Sequence, residues 1–245
     1  MLHVLPAQQS PSMGRGPFRI RRVRPGPALG AESRDPALGP LSVIDHATLG
    51  VGTLVPMHQH VNDEILSYLW RGVMVHEDSD GNRVELSSRR LMMMGAGKGF
   101  WHEESVPAEP VEMLQIFIRP EGTDLKPRVE FWERPGPSPG QGWQLVAGPG
   151  GSTAPLTIRQ RVMVFDPHPK AGDELDVPTV AGLTPWVYVL DGSVTAGGRR
   201  LGPGDALTDL DAPLPPIRVD SDSVLVAFLV DRSAPASLRG TSSGG

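Results

Sequence analysis

The 245-residue chain contains no cysteine. That absence removes a disulfide scaffold, a thiolate zinc site, an iron–sulfur cluster and a cysteine nucleophile together. It also lacks any long hydrophobic run. The longest, such as residues 224–230, stop far short of the roughly 20 residues that a membrane span needs. No membrane partner is therefore expected. The opening MLHVLPAQQSPSMGRG has no basic stretch followed by a long apolar core, so no signal peptide is expected and the cytoplasm is the expected location. Excess positive charge is missing as well. Lys and Arg number 23 against 28 Asp and Glu, a net charge of −5. Non-specific nucleic-acid binding runs on phosphate neutralisation, so no direct nucleic-acid partner is expected. No long amphipathic helix can be found.

What is present is an ordinary globular composition, 39% apolar and 21% charged. Its 29 Gly and 26 Pro signal many turns between short elements. At roughly 150 residues per domain, the length predicts between one and two domains. Short β-type runs recur: LSVID (41–45), EILSYLW (64–70), VMVHE (73–77) and EMLQIFI (112–118), then LTIRQRVMVFD (156–166), WVYVLDGSVTA (186–196) and DSVLVAFLV (222–230). Asp80-Gly81-Asn82 between two such runs reads as a hairpin turn. The fold class is all-β.

Composition divides the chain into four parts. Residues 1–38 form a basic, Pro/Gly-rich segment. Arg15, Arg19, Arg21, Arg22, Arg24 and Arg34 stand there against Glu32 and Asp35. Within it FRIRRVR (18–24) alternates apolar and basic residues, as an edge strand or arm does; an anion- or partner-binding patch is the functional alternative. Residues 39–132 make a first β unit. Residues 133–155 read as a linker leading into a second, and residues 156–245 form that unit, with a frayed TSSGG tail. The halves repeat weakly. Ser67-Tyr68-Leu69-Trp70-Arg71-Gly72 lies over Val187-Tyr188-Val189-Leu190-Asp191-Gly192.

Four of the seven histidines fall between residues 58 and 102. His58 and His60 are two apart, as are His102 and Glu104. Residues two apart on a strand point to one face, so two strands can bring these pairs onto one metal from opposite sides. Neutral imidazoles with a carboxylate suit a mid-to-late first-row divalent ion. Glu64, four residues after His60, is a second candidate carboxylate. The spacing excludes helical presentation of the HExxH kind. His76 follows a turn and is expected at the surface. His3, His46 and His168 have no partners at ligand spacing and are assigned no role.

The order HxHxxxE, Tyr68, Gly72, Gly97-x-Gly99-x-x-His102 is similar to the two metal motifs of the cupin superfamily. The stretches MHQHVNDEILSYLWRGVMVHEDSDGN and MGAGKGFWHEE, with Gly39-Pro40-Leu41 upstream and LQIFIRPEGTDLKPR downstream, resemble the pirin family. The resemblance extends more weakly through WQLVAGPGG and LTIRQ to the final strands. It implies a bicupin, two tandem β-barrels. It also implies one divalent metal per chain held by His58, His60, His102 and Glu104. Iron(II) is the expected ion; manganese, nickel, copper or zinc also suit such a site. In most other cupins the carboxylate ligand sits in the first motif, here Glu64. Strand parity points to Glu104, leaving Glu64 as a neighbouring or salt-bridging group.

Carrying the ligand positions forward into the second half gives Pro178, Val180, Thr184, Ile217 and Val219, so no second metal is expected. Some pirins open flavonols such as quercetin with molecular oxygen. The resemblance thus implies a dioxygenase acting on a small aromatic substrate, with Glu104 or Glu64 as proton acceptor. Other pirins act as metal- or redox-responsive partners of transcription factors or metabolic enzymes, which makes a protein partner the alternative. No Lys or Arg at a motif position answers a phosphorylated sugar. The chain departs from the family in its basic opening, in Arg89-Arg90 where a Gly-Asp turn is usual, and in Met92-Met93-Met94. These methionines are expected mainly in the core, with one or two free to line the pocket.

Overall fold

Short apolar-rich runs recur between Gly and Asp turns, and the continuous ones, such as residues 224–230, bury both faces as strands. The computed structural model describes residues 1–30, 35–135 and 142–244 and is built almost wholly of strands. They form two curled sheets, as expected of a bicupin. The first sheet runs from Ser12–Arg15 through Phe18–Val23, Leu41–Leu49, Val111–Ile118, Glu64–Arg71 and Arg90–Gly95, then Arg83–Ser87, Val73–Asp78 and Phe100–Ser105 to the edge strand Leu54–His60. The second runs from Leu2–Leu5 through Ala206–Asp209, Thr184–Ala196, Ile217–Val230, Val162–Asp166 and Gln144–Pro149 to Leu156–Ile158.

Alternation sorts the side chains into three cores. On Glu64–Arg71, Ile65 and Leu69 fill the first barrel with Met92, Met94 and Phe117. Leu66 and Tyr68 face the other way, into a core between the barrels shared with Met93, Trp186, Tyr188 and Phe228. On the facing strands Val187, Val189, Leu225 and Ala227 fill the second barrel with Ile217 and Val219. Each of these fully buried large apolar side chains contributes about 1.5–3 kcal/mol. The three methionines are thus packing residues, at most 1% exposed.

The core between the barrels carries a pseudo-twofold relation with an offset of 120 residues. Tyr68 donates to Asp166 at 2.7 Å, and Tyr188 lies 2.9 Å from Nδ1 of His46. Position 46 plus 120 is 166, so one tyrosine–partner pair recurs with its partner changed. Arg71 and Asp191, also 120 apart, pair directly at 2.7 Å. Gly72 and Gly192 both take positive φ, 79° and 85°. Side chains there would strike the backbone of Pro110 and Asp222, which is why each repeat keeps a glycine. Asp166 also accepts from the buried Arg134 at 2.5 Å, and His168 packs on Trp70 with ring centroids 5.3 Å apart.

Three expectations change. The basic run at 18–24 is not at an edge, because Phe18–Val23 pairs with both Ser12–Arg15 and Leu41–Leu49. Arg22 is drawn in by a bidentate pair with the buried Asp45, at 2.8 and 2.7 Å. Arg15, Arg19 and Arg21 line a surface groove of about 630 Å³ with His46 and Glu112, while Glu32 and Arg34 lie outside the described residues. Within the segment 1–38, Leu2–Leu5 departs from the basic part and pairs with Ala206–Asp209 of the second sheet. The tail is not frayed. Residues 241–243 fold back onto the first barrel, where Ser243 is fully buried. Of the expected linker, residues 136–141 lie outside the described residues; the rest of 133–155 already contributes the strand Gln144–Pro149.

Candidate metal centre

The edge strand Leu54–His60 pairs antiparallel with Phe100–Ser105, placing His58 opposite His102 and His60 opposite Phe100. A bulge follows His102, so Glu104 falls opposite Val55. On its other side Phe100–Ser105 pairs with Val73–Asp78, setting Glu104 opposite His76 and His102 opposite Asp78. Period-two alternation then turns these side chains into the first barrel. The ring centroids of His58, His60 and His102 lie 4.4–5.2 Å apart. His76 stands 5.3 Å from His102.

Outer partners fix two of the rings. Nδ1 of His58 is 2.9 Å from the Pro56 carbonyl, and Nδ1 of His60 is 2.9 Å from the Asp63 carboxylate. Both Nδ1 atoms therefore carry the proton, and both Nε2 atoms present lone pairs. Those Nε2 atoms face each other at 3.1 Å. Two lone pairs so close repel unless a cation lies against both. Two nitrogens bound at right angles to one metal at about 2.1 Å would stand about 3.0 Å apart. His102 is fully buried, with neither ring nitrogen hydrogen-bonded. A buried ring leaving both nitrogens unpaired is costly, unless an ion takes one of them. On these observations the residues fit a metal.

Two donor groups emerge, each with its ligand atoms within 4.8 Å of one another: His58, His60 and His102, and His76, His102 and Glu104. They share His102. The structure thus gathers the three expected histidines. Glu104, expected with all three, falls instead in the second group, where its Oε1 lies 3.8 Å from His102 Nδ1 and 3.3 Å from the Gln115 amide. Burial pushes the Glu104 carboxyl up to about 7, opposed by Gln115. Burial, reinforced by the neighbouring imidazoles of His58, His60 and His76, pulls His102 down to about 2. Burial also lowers His58 and His76. Neutral imidazoles are the metal-binding form.

Two expectations fail here. Glu64 does not reach the histidines. It shares its strand face with Leu66 and Tyr68, toward the second barrel, and its oxygens take Nε and the backbone N–H of Arg159 at 2.8 and 3.1 Å. The turn at residues 61–63, with Asn62 at φ 54°, breaks the parity count from His60. Burial pushes Glu64 upward and Arg159 only partly opposes it. It is the salt-bridging group that strand parity left it to be, here joining the two barrels. His76, in contrast, is fully buried, not at the surface. Asp78 holds its Nε2 at 3.0 Å, and its Nδ1 is unpartnered. The signal was in the sequence: His76 and Asp78 are spaced two apart, as His58 and His60 are. The remaining histidines have structural surroundings. His46 bridges Tyr188 and Glu112, His168 lies against Asp166 and Trp70, and His3 sits in the strand beside Thr208.

Two tandem barrels with an inward histidine cluster in the first and an apolar interior in the second define a bicupin. Comparisons with known proteins narrow this. Residues 31–118 match the Pirin family, and residues 145–229 match the quercetinase C-terminal cupin domain. A quercetin 2,3-dioxygenase of Escherichia coli K12 is 31% identical over 191 residues, 77% of this chain and 81% of that one. A pirin-like protein of Caulobacter vibrioides is 27% identical over 197 residues, covering 79% and 83%. The crystal structure of the bacterial pirin YhhW of Escherichia coli in complex with nickel(II) superimposes with a TM-score of 0.81 at 25% identity, over 94% of this chain and 99% of that one. The chain belongs to the pirin family. No helix among the described residues is long and apolar enough to cross a membrane.

Proposed function

We propose that this chain is a metal-dependent dioxygenase that opens a flavonol-type ring with molecular oxygen at a single divalent metal in the first barrel. The observation that carries the reading is the facing pair of His58 and His60 Nε2 atoms beside the unpartnered ring of His102. A relative bearing the name quercetin 2,3-dioxygenase supports the substrate class. His58, His60 and His102 hold the ion, with Glu104 as the fourth donor. Iron(II) is our choice of metal, while manganese, nickel, copper and zinc are compatible with these donors. When bound, the metal supplies a Lewis acid that favours the enolate of an adjacent hydroxyl–carbonyl pair.

The protein's own groups do the rest. Pro56 and Asp63 keep the two Nε2 lone pairs turned inward. Glu104, held beside His102, is the carboxylate placed to accept the substrate hydroxyl proton. Gln115 holds that carboxylate in place. Phe117 packs 5.8 Å from the His60 ring and Phe131 6.0 Å from His76, so aromatic rings border the histidines. His58 is only half-buried, so the centre opens to solvent on that side.

The test is metal content by mass spectrometry on protein purified without chelator or affinity tag, followed by oxygen uptake with quercetin. Wild type should carry about one metal per chain. His58→Ala and Glu104→Gln should lose it, and Glu64→Gln should keep it. Oxygen uptake should follow metal content. No uptake by wild type loaded with any of the five metals would overturn the enzymatic reading.

A further inference from the structure

The tail and the candidate ligand His60 meet at one carboxylate. Asp63 is fully buried and accepts from four donors. His60 Nδ1 reaches Oδ2 at 2.9 Å. The backbone N–H of Ser242 approaches Oδ2 at 3.1 Å. The N–H and hydroxyl of Ser243 reach Oδ1 at 2.9 and 2.6 Å. So one oxygen is held mainly by the tail while the other orients the ring. A carboxylate tethered by fixed donors is a stiff acceptor, and a stiff acceptor sets both the tautomer and the direction of the imidazole.

The tail is itself secured. Thr241 exchanges bonds with Val61, its N–H donating at 2.9 Å and its hydroxyl accepting from the Val61 N–H at 2.8 Å. The Ser243 carbonyl accepts from the Ser42 hydroxyl at 2.8 Å and from Arg119 Nε at 2.9 Å. Gly240 makes the approach feasible. A Cβ there would collide with both the Ser243 hydroxyl and the Asp63 carboxylate. Every one of these contacts falls on the first barrel, although the tail follows the last strand of the second.

We propose that residues 241–243 are a positioning clamp for the metal centre: through Asp63 they hold His60 with Nε2 facing the ion. The clamp rests on the reading of His60 as a ligand. Neither Ser242 nor Ser243 touches the metal donors. They act through Asp63 and are positioning residues.

The experiment compares full-length protein with Gly240→Ala, Ser243→Ala and a chain stopped after Arg239. Nickel(II) affinity is read by competition with a chromophoric chelator. The ring tautomer of His60 in the metal-free protein is read by nitrogen-15 NMR, and folding is checked by circular dichroism melting. Loss of an outer partner of a metal-ligating histidine costs about 10–100-fold in affinity. The stopped chain and Gly240→Ala should fall in that range, and Ser243→Ala, which keeps the N–H donors, should fall less. The His60 tautomer should become mixed in the same order. Should the stopped chain fail to fold, the two point variants carry the decision. Variants that bind nickel(II) as tightly as wild type, with an unchanged His60 tautomer, would overturn the clamp. A wild type that binds no nickel(II) would instead overturn the reading of His60 as a ligand, and with it the clamp.

Discussion

The two barrels share a fold and differ in what fills them. In the second, Val187, Val189, Ile217, Val219, Leu225 and Ala227 pack an apolar interior at no more than 2% exposure. In the first, the corresponding volume holds His58, His60, His76, His102 and Glu104 alongside Ile65, Leu69 and Met92. A closed sheet is therefore stable with either filling, and the apolar one is thermodynamically easier. The polar one leaves buried nitrogens unpaired, a cost of about 1–3 kcal/mol each. The difference separates what the scaffold requires from what chemistry adds.

Making the second barrel resemble the first should have the largest effect. Leu225→Asn removes packed methyl groups and buries an amide with no partner. A loss of about 3–5 kcal/mol is expected by urea unfolding. A loss under 1 kcal/mol would mean that this interior tolerates polarity, and the contrast would collapse. The reverse change is smaller and of opposite sign. His102→Leu should abolish metal binding while making the metal-free chain more stable than metal-free wild type, by about 1–3 kcal/mol. Destabilisation instead would show that His102 has hydrogen bonds in solution.

The smallest effect is a difference between two pH profiles. In the metal-free chain, burial holds His102 neutral down to about 2, whereas an unfolded histidine takes its proton near 6.5. Its contribution to stability is present above 6.5 and is lost as the pH falls below that value. His58 and His76 act in the same direction. Glu104 acts in the other. Folded, it takes a proton near 7; unfolded, only near 4.5. Its contribution is present below 4.5 and is lost as the pH rises through 7. The glutamate therefore offsets part of the histidine loss between about 7 and 4.5. Glu104→Gln removes that offset. Its melting temperature, measured without metal, should fall more steeply than wild type over this window. Parallel curves would mean that Glu104 is not buried as described.

The strands and the meeting of His58, His60 and His102 were legible because alternation and i, i+2 spacing are local properties, while the two-barrel plan came from the family resemblance with a weak repeat beside it. Glu64 was read as a salt-bridging group, as found; its alternative role beside the histidines failed because parity does not survive the turn at 61–63, where Asn62 takes a left-handed conformation. His76 was misplaced because its facing depends on which strand lies alongside, and the pairing with Phe100–Ser105 is not encoded nearby. Tail composition alone suggested fraying. Its order comes from Asp63, 180 residues earlier, a contact no window of sequence contains. The tyrosine pair of the repeat was visible, but its partners at 46 and 166 lie on strands that only the folded chain brings together.

The two barrels exchange flanking segments. The first strand, Leu2–Leu5, completes the second sheet, and residues 241–243 finish the first barrel. During synthesis the order of events is then constrained. The histidines of the first barrel leave the ribosome early, and the donors that hold Asp63 follow 180 residues behind it. At about 5–20 residues per second, the 180-residue interval lasts on the order of 10–40 s. Throughout it His60 has its carboxylate but not the groups that steady it. A nascent first barrel is in this respect unfinished until residues 241–243 have followed it out.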